Sequence, residues 1–161
     1  MLAVTLAAVL ALAGCGASSV STADAPSIAG TWVGTGTVSA GGPSGPIAYY
    51  LDLTTGANHQ ITGTGQGCTH GPDRLFIAHL TISGASGSAK GDYTMDFKTP
   101  DLGPGEHILH VNAHVSGSQM TFSGVDTATT PSTTSMATLM HGSMNDFNTQ
   151  CNSLPTPVPT T

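Results

Sequence analysis

Fixed positive charge is almost absent from this chain. Arg74, Lys90 and Lys98 are its only Lys or Arg residues, set against nine carboxylates and a formal net charge of −6. A nucleic-acid binder needs clustered Lys and Arg to displace counterions from phosphates, so nucleic acid is excluded as a partner. Docking on anionic lipid through a basic patch is excluded on the same ground. Charged residues of both signs make up only 7%, where a soluble domain carries about 25%. Catalytic signatures are missing too. Glu106 is the sole Glu, and Asp92 and Asp96 share one face of one segment instead of facing each other across a cleft, as glycosidase chemistry requires. There is no Gly-x-Ser-x-Gly elbow, and Gly63-Thr64-Gly65-Gln66-Gly67 runs straight into Cys68 with no helix after it to cradle a phosphate. The expectation is a protein that is not an enzyme and uses no cofactor.

Thr, Ser and Gly take the place of charge, with 24 Thr and 21 Gly. Thr suits the pleated surface of a strand, and Gly suits turns and bulges. No long segment carries a helical stripe, and apolar residues recur with a period close to 2. Eight strands are predicted: 30–38, 46–55, 59–68, 74–83, 89–98, 107–115, 119–126 and 135–147, the last bulged at Gly142. Ile47, Tyr49, Leu51 and Leu53 share a face, as do Tyr93, Met95 and Phe97, and Leu109, Val111, Ala113 and Val115. Gly- and Pro-rich breaks such as 41–46, 84–87 and 100–105 separate the strands. Such short connections make successive strands antiparallel neighbours. The predicted fold is all-β, an antiparallel up-and-down barrel of about eight strands, which has no open edges. The alternative is a flattened two-sheet sandwich.

The first residues read as an address. Leu2 to Ala13 is a run of Leu, Ala and Val broken only by Thr5. At about 12 residues it is too short to span a bilayer and has the length of a signal-peptide apolar region. Leu12-Ala13-Gly14-Cys15 follows, and this resembles the lipobox of bacterial lipoproteins. The resemblance implies cleavage before Cys15 and a diacylglyceryl (palmitate-type) lipid on its sulfur. It also implies a location in the cell envelope, anchored to a membrane and facing outside the cytoplasm, with inner or outer membrane left open. Met1 to Val4 depart from the pattern in having no Lys or Arg, which leaves open a start further upstream. The expected organisation is a signal peptide over 1–14, lipidated Cys15 with a flexible tether over 15–27, a barrel domain over 28–153, and a disordered Pro/Thr-rich tail over 154–161.

With Cys15 assigned to lipid, Cys68 and Cys151 remain as an even pair in an oxidising compartment, and a disulfide is expected. This conflicts with the strand count, which puts the end of the third strand and the end of the eighth at opposite rims. Three resolutions stay open. The eighth strand ends near His141 and residues 143–150 run back along the wall, or the count is wrong by one, or the thiols are free.

A second resemblance starts at Gly30-Thr31-Trp32. A Gly-x-Trp opening the first strand is similar to lipocalins and avidin-like barrels, in which the Trp plugs one end; Trp32 is therefore the expected plug. The segment 53–64 is similar to the second hairpin of an avidin-type barrel. Biotin binding does not carry over. An avidin pocket needs several Trp where this chain has one, and Gly34 and Gly65 stand where ligand contacts belong.

Histidine is the most suggestive feature, with seven in the chain. Alternation puts His107 on one face of the sixth strand and His110 and His114 on the other. The latter two lie about 13 Å apart along the strand, too far to chelate one ion, so no metal site is assigned. His110, His114 and His141 are kept as candidates, the last through a soft Cu(I) set with Met136, Met140 and Met144. Met as core filler is the commoner case. Cys68-Thr69-His70 with Asp73 would need a free thiolate, which the disulfide removes. The expected function is a membrane-anchored lipoprotein that binds a small apolar ligand or a partner through its barrel. The alternatives are a surface lipoprotein whose barrel is filled by its own side chains, and a metal-handling lipoprotein using His and Met. Many inward Gly and Thr would mark a cavity.

Overall fold

A computed structural model of the chain describes residues 27–71, 74–87, 90–102 and 107–156. The expected signal peptide, Cys15, the tether except Ser27, Asp73, Glu106 and the tail beyond residue 156 lie outside the described residues.

The chain forms a closed barrel of eight antiparallel strands, each paired with its sequence neighbour and the last with the first. The strands are β1 Gly30–Ala40, β2 Gly45–Thr55, β3 Gln60–His70, β4 Leu75–Ser86, β5 Asp92–Lys98, β6 Ile108–Ser116, β7 Gln119–Asp126 and β8 Thr133–His141. The up-and-down barrel expected from the turn spacing is the observed fold, and the sandwich is not. Alternation decides which side chains enter. Ile47, Tyr49, Leu51 and Leu53 on β2 face in, as do Tyr93, Met95 and Phe97 on β5 and Val111, Ala113 and Val115 on β6.

Closure rests on β1 meeting β8, with Gly34 opposite Leu139 and Gly36 opposite Ala137. Both glycines are required by close approach. A Cβ on Gly34 would lie 2.1 Å from the carbonyl oxygen of Thr138, and one on Gly36 would lie 1.9 Å from that of Met136. Gly34 is therefore a packing residue of the seam.

The predicted eighth strand, 135–147, needs correction. β8 ends at His141, and a helix α1 runs from Met144 to Ser153. The missed signal was a capping box. The Ser143 hydroxyl accepts from the Asp146 N–H, and the Asp146 carboxylate accepts from the Ser143 N–H at 2.8 Å. That N–H and the Ser143 side chain hold the Asp146 carboxyl below the usual carboxylate range. The helix lies outside the barrel. Phe147, Cys151 and Leu154 bury themselves against Val33, Ala48 and Cys68 on the outer wall, with Tyr50 and Leu75 at the edge. Leu154, assigned from sequence to the tail, is 8% exposed and belongs to this small outer core.

The helix also removes the topological conflict. β8 carries the chain to one rim, and α1 brings it back along the wall toward the other at about 1.5 Å per residue. The Cα atoms of Cys68 and Cys151 are 5.8 Å apart and the sulfurs are bonded. The first of the three resolutions is the one realised. The bond closes a sequence separation of 83 residues, for which chain entropy gives about 4–5 kcal/mol. Cys151→Ser is expected to lower the unfolding free energy from urea titration by an amount of that order while leaving strand content unchanged by circular dichroism. A loss of less than about 1 kcal/mol would mean that Phe147 and Leu154 alone hold the helix down.

Candidate functional site

The barrel interior has two unlike halves. At the end where the chain enters, Trp32, Ile28, Leu53, Ile61, Met120 and Leu139 are all 1% exposed or less. The Trp32 indole N–H donates to the Ile28 carbonyl at 2.8 Å, satisfying the only polar atom of the ring. The His141 ring stacks on the indole with centroids 3.9 Å apart. This half is filled by side chains, with Trp32 across its end.

The other half is hollow. A cavity of about 370 Å³ lies toward the rim that carries the β1–β2, β3–β4, β5–β6 and β7–β8 connections. It falls within the size range of small-molecule sites. Its walls are mostly apolar, from Val38, Ile47, Phe76, Leu80, Phe97 and Leu109. The space exists because small side chains sit at inward positions. Gly67 and Ala78 line one wall, and Thr69, Thr99 and Thr133 ring the rim. A Cβ on Gly67 would find Tyr49 and Ile47 at 3.4 and 3.5 Å, ordinary contact, so that site accepts a larger residue.

Two polar pairs face this space. Tyr49 is 4% exposed, and its hydroxyl lies 2.8 Å from that of Ser135. Ser135 donates its one proton to the Thr37 carbonyl at 3.1 Å, so the tyrosine must be the donor between the two hydroxyls. The second pair is His107 and Asp126. Asp126 ends β7 and is 5% exposed, and its Oδ1 accepts from the Ala128 N–H at 2.8 Å. Thr129 ties the same turn together by donating to the Asp126 carbonyl. His107 is fixed by Thr99, whose N–H donates to its carbonyl at 3.1 Å. The His107 Nδ1 is buried and has no hydrogen-bond partner; Asp126 Oδ2 is 3.6 Å away, beyond bonding distance.

The other histidines do not reach the cavity. His110 and His114 project outward from β6, opposite Asp96 and Asp92 of β5 in register. Their rings lie 2.7 and 2.6 Å from those carboxylates. His79 pairs in the same way with Asp101, whose carboxyl the His79 N–H and ring hold below its ordinary value. These are exposed pairs, worth little to stability. His141 is on the Trp32 ring. Among the described residues, no three metal-capable side chains converge. Met136 and Met140 are not core filler: they stand on the outer face of β8, 61% and 46% exposed, and Met144 opens the helix.

His107 was set apart from His110 and His114 by its face but not kept as a candidate, and Asp126 was not singled out, although parity carried the signal. His107 alternates with Leu109 and Val111, and Asp126 with Phe122 and Gly124, so each is a charge-capable group in phase with an apolar face.

Compared with known proteins, the chain matches no family model, and no curated protein or solved structure is significantly similar to it.

Burial pushes the Tyr49 phenol up to about 12, with the Ser135 hydrogen bond opposing in part. An unfolded tyrosine ionises near 10. Stability that depends on keeping Tyr49 neutral is thus complete below pH 10 and lost as pH rises from there toward 12. The urea midpoint of the native chain is expected to fall across that window, and the fall should be shallower in Tyr49→Phe. Equal slopes in the two proteins would show that Tyr49 is not the group responsible.

Proposed function

We propose that this protein is an exported, lipid-anchored carrier or sensor that holds one small, largely apolar molecule in the hollow half of its barrel. The observation that carries the ligand half of this reading is the apolar cavity of about 370 Å³ with a few polar groups converging on it. An empty apolar space of that size forfeits packing contacts, yet Gly67 leaves its wall unfilled where a side chain would fit. The anchor half is supported by the lipobox-like Leu12-Ala13-Gly14-Cys15. The disulfide agrees with export, because such bonds persist in oxidising compartments.

The anchor is tested by metabolic labelling. Radiolabelled palmitate should enter the native chain in a bacterial host and be absent from Cys15→Ser. Equal labelling of the two, or none in either, would remove the anchor from the proposal.

The cavity is tested with the neutral fluorophore N-phenyl-1-naphthylamine and the full chain carrying Cys15→Ser, which cannot be acylated. Saturable one-to-one enhancement is expected, weakened at least tenfold by adding Gly67→Leu, whose side chain projects into the cavity. Unaltered enhancement in the filled variant would place the dye elsewhere and overturn the reading.

A further inference from the structure

The two polar groups at the cavity rim go further and specify the charge of the ligand. Asp126 is a carboxylate 5% exposed in a wall that is otherwise mostly apolar. None of the described residues lining the cavity is Lys or Arg. A carboxylate buried without a counter-charge is costly unless something pairs with it. One of its oxygens is satisfied by the Ala128 N–H. The other, Oδ2, faces His107 Nδ1 across 3.6 Å, a gap too long for a hydrogen bond, and that nitrogen is itself buried and unpartnered. Asp126 lines the cavity and is the acidic group a ligand meets there, while His107 Nδ1 has almost no accessible surface.

We infer that the ligand is an apolar amine, its ammonium group seated against the Asp126 carboxylate at the cavity rim and its hydrocarbon part among Phe76, Leu80, Phe97 and Leu109. This rests on the cavity reading above and narrows it. An ammonium donates a charge-assisted N–H to the carboxylate. It also brings a fixed positive charge, where the described wall has no Lys or Arg and only the His107 imidazole beside the carboxylate. An alcohol of the same shape has a single O–H to donate and brings the carboxylate no positive charge. A fatty acid sets its own carboxylate against Asp126, and like charges in a desolvated site repel strongly. The net charge of −6 acts in the same sense at long range, attracting cations and repelling anions.

The experiment is a matched series, octylamine, 1-octanol and octanoate, titrated calorimetrically at pH 7 into the full Cys15→Ser chain and into the same chain with Asp126→Asn. Octylamine is expected to bind at least tenfold more tightly than octanol, and octanoate more weakly than either. In Asp126→Asn the preference for the amine should collapse to within about twofold of the alcohol, with alcohol binding unchanged. If the alcohol or the carboxylate binds as tightly as the amine, the amine inference is overturned while the apolar cavity stands. If none of the three binds, the cavity reading falls as well. If the Asn variant loses alcohol binding too, native urea midpoints for both chains decide the matter. A shared midpoint would show that Asp126 holds ligands through hydrogen bonding instead of charge, and a lowered one that it shapes the rim. Either result overturns the inference.

Discussion

Everything in this molecule follows from the seam between β1 and β8. An eight-stranded barrel is closed only if its first strand can approach its last, and here that approach leaves no room for a Cβ at Gly34 or Gly36. Once the seam is shut, each inward side chain competes for a fixed interior volume. Eight strands enclose enough room for side chains or for one small ligand, and this barrel divides the two uses along its axis. Large residues from Trp32 to Leu139 fill one half, and Gly67, Ala78 and a ring of threonines leave the other half open.

The helix is a consequence of the same closure. A closed barrel has no free edge on which to lay further chain, so the segment after β8 can only pack on the outer wall. The wall receives it where Val33, Ala48 and Cys68 make an outward apolar patch over β1, β2 and β3. The disulfide fixes this arrangement covalently, and because both cysteines are 2% exposed or less it does so from within a packed cluster.

The barrel was legible because a period of 2 with Gly- and Pro-rich breaks allows few other folds. The ends of strands were less so: β3 and β4 run two or three residues beyond the expected 68 and 83, where pairing in register outlasts the alternation of apolar residues. The helix was illegible for a different reason. Residues 135 to 141 alternate as a strand should, and Met136, Met140 and Met144 at four-residue spacing fit either state. Only Ser143 with Asp146 marks the boundary, and that pair is weak evidence before its hydrogen bonds are seen. The conflict over Cys68 and Cys151 was the stronger clue, since a bond required the chain to turn back where a ninth barrel position did not exist.

Histidine shows most clearly what alternation can and cannot tell. Seven histidines in a chain with three Lys and Arg invite a metal-binding reading. Parity separates them at once: His110 and His114 face outward, and their four-residue spacing matches that of Asp96 and Asp92 across the β5–β6 pair. Cross-strand polar pairs are ordinary sheet stabilisation, and on a surface nearly without Lys or Arg, histidine is the residue left to partner a carboxylate. His107 has the opposite parity and so opposes the inside of the barrel. What parity alone could not give is its partner. Asp126 lies 19 positions along the chain, at the end of β7, and the β6–β7 register that sets His110 opposite Val125 brings its carboxylate to 3.6 Å from the imidazole. The residue types that define this site are therefore written in the alternation of each strand, while their meeting is a property of the register between β6 and β7.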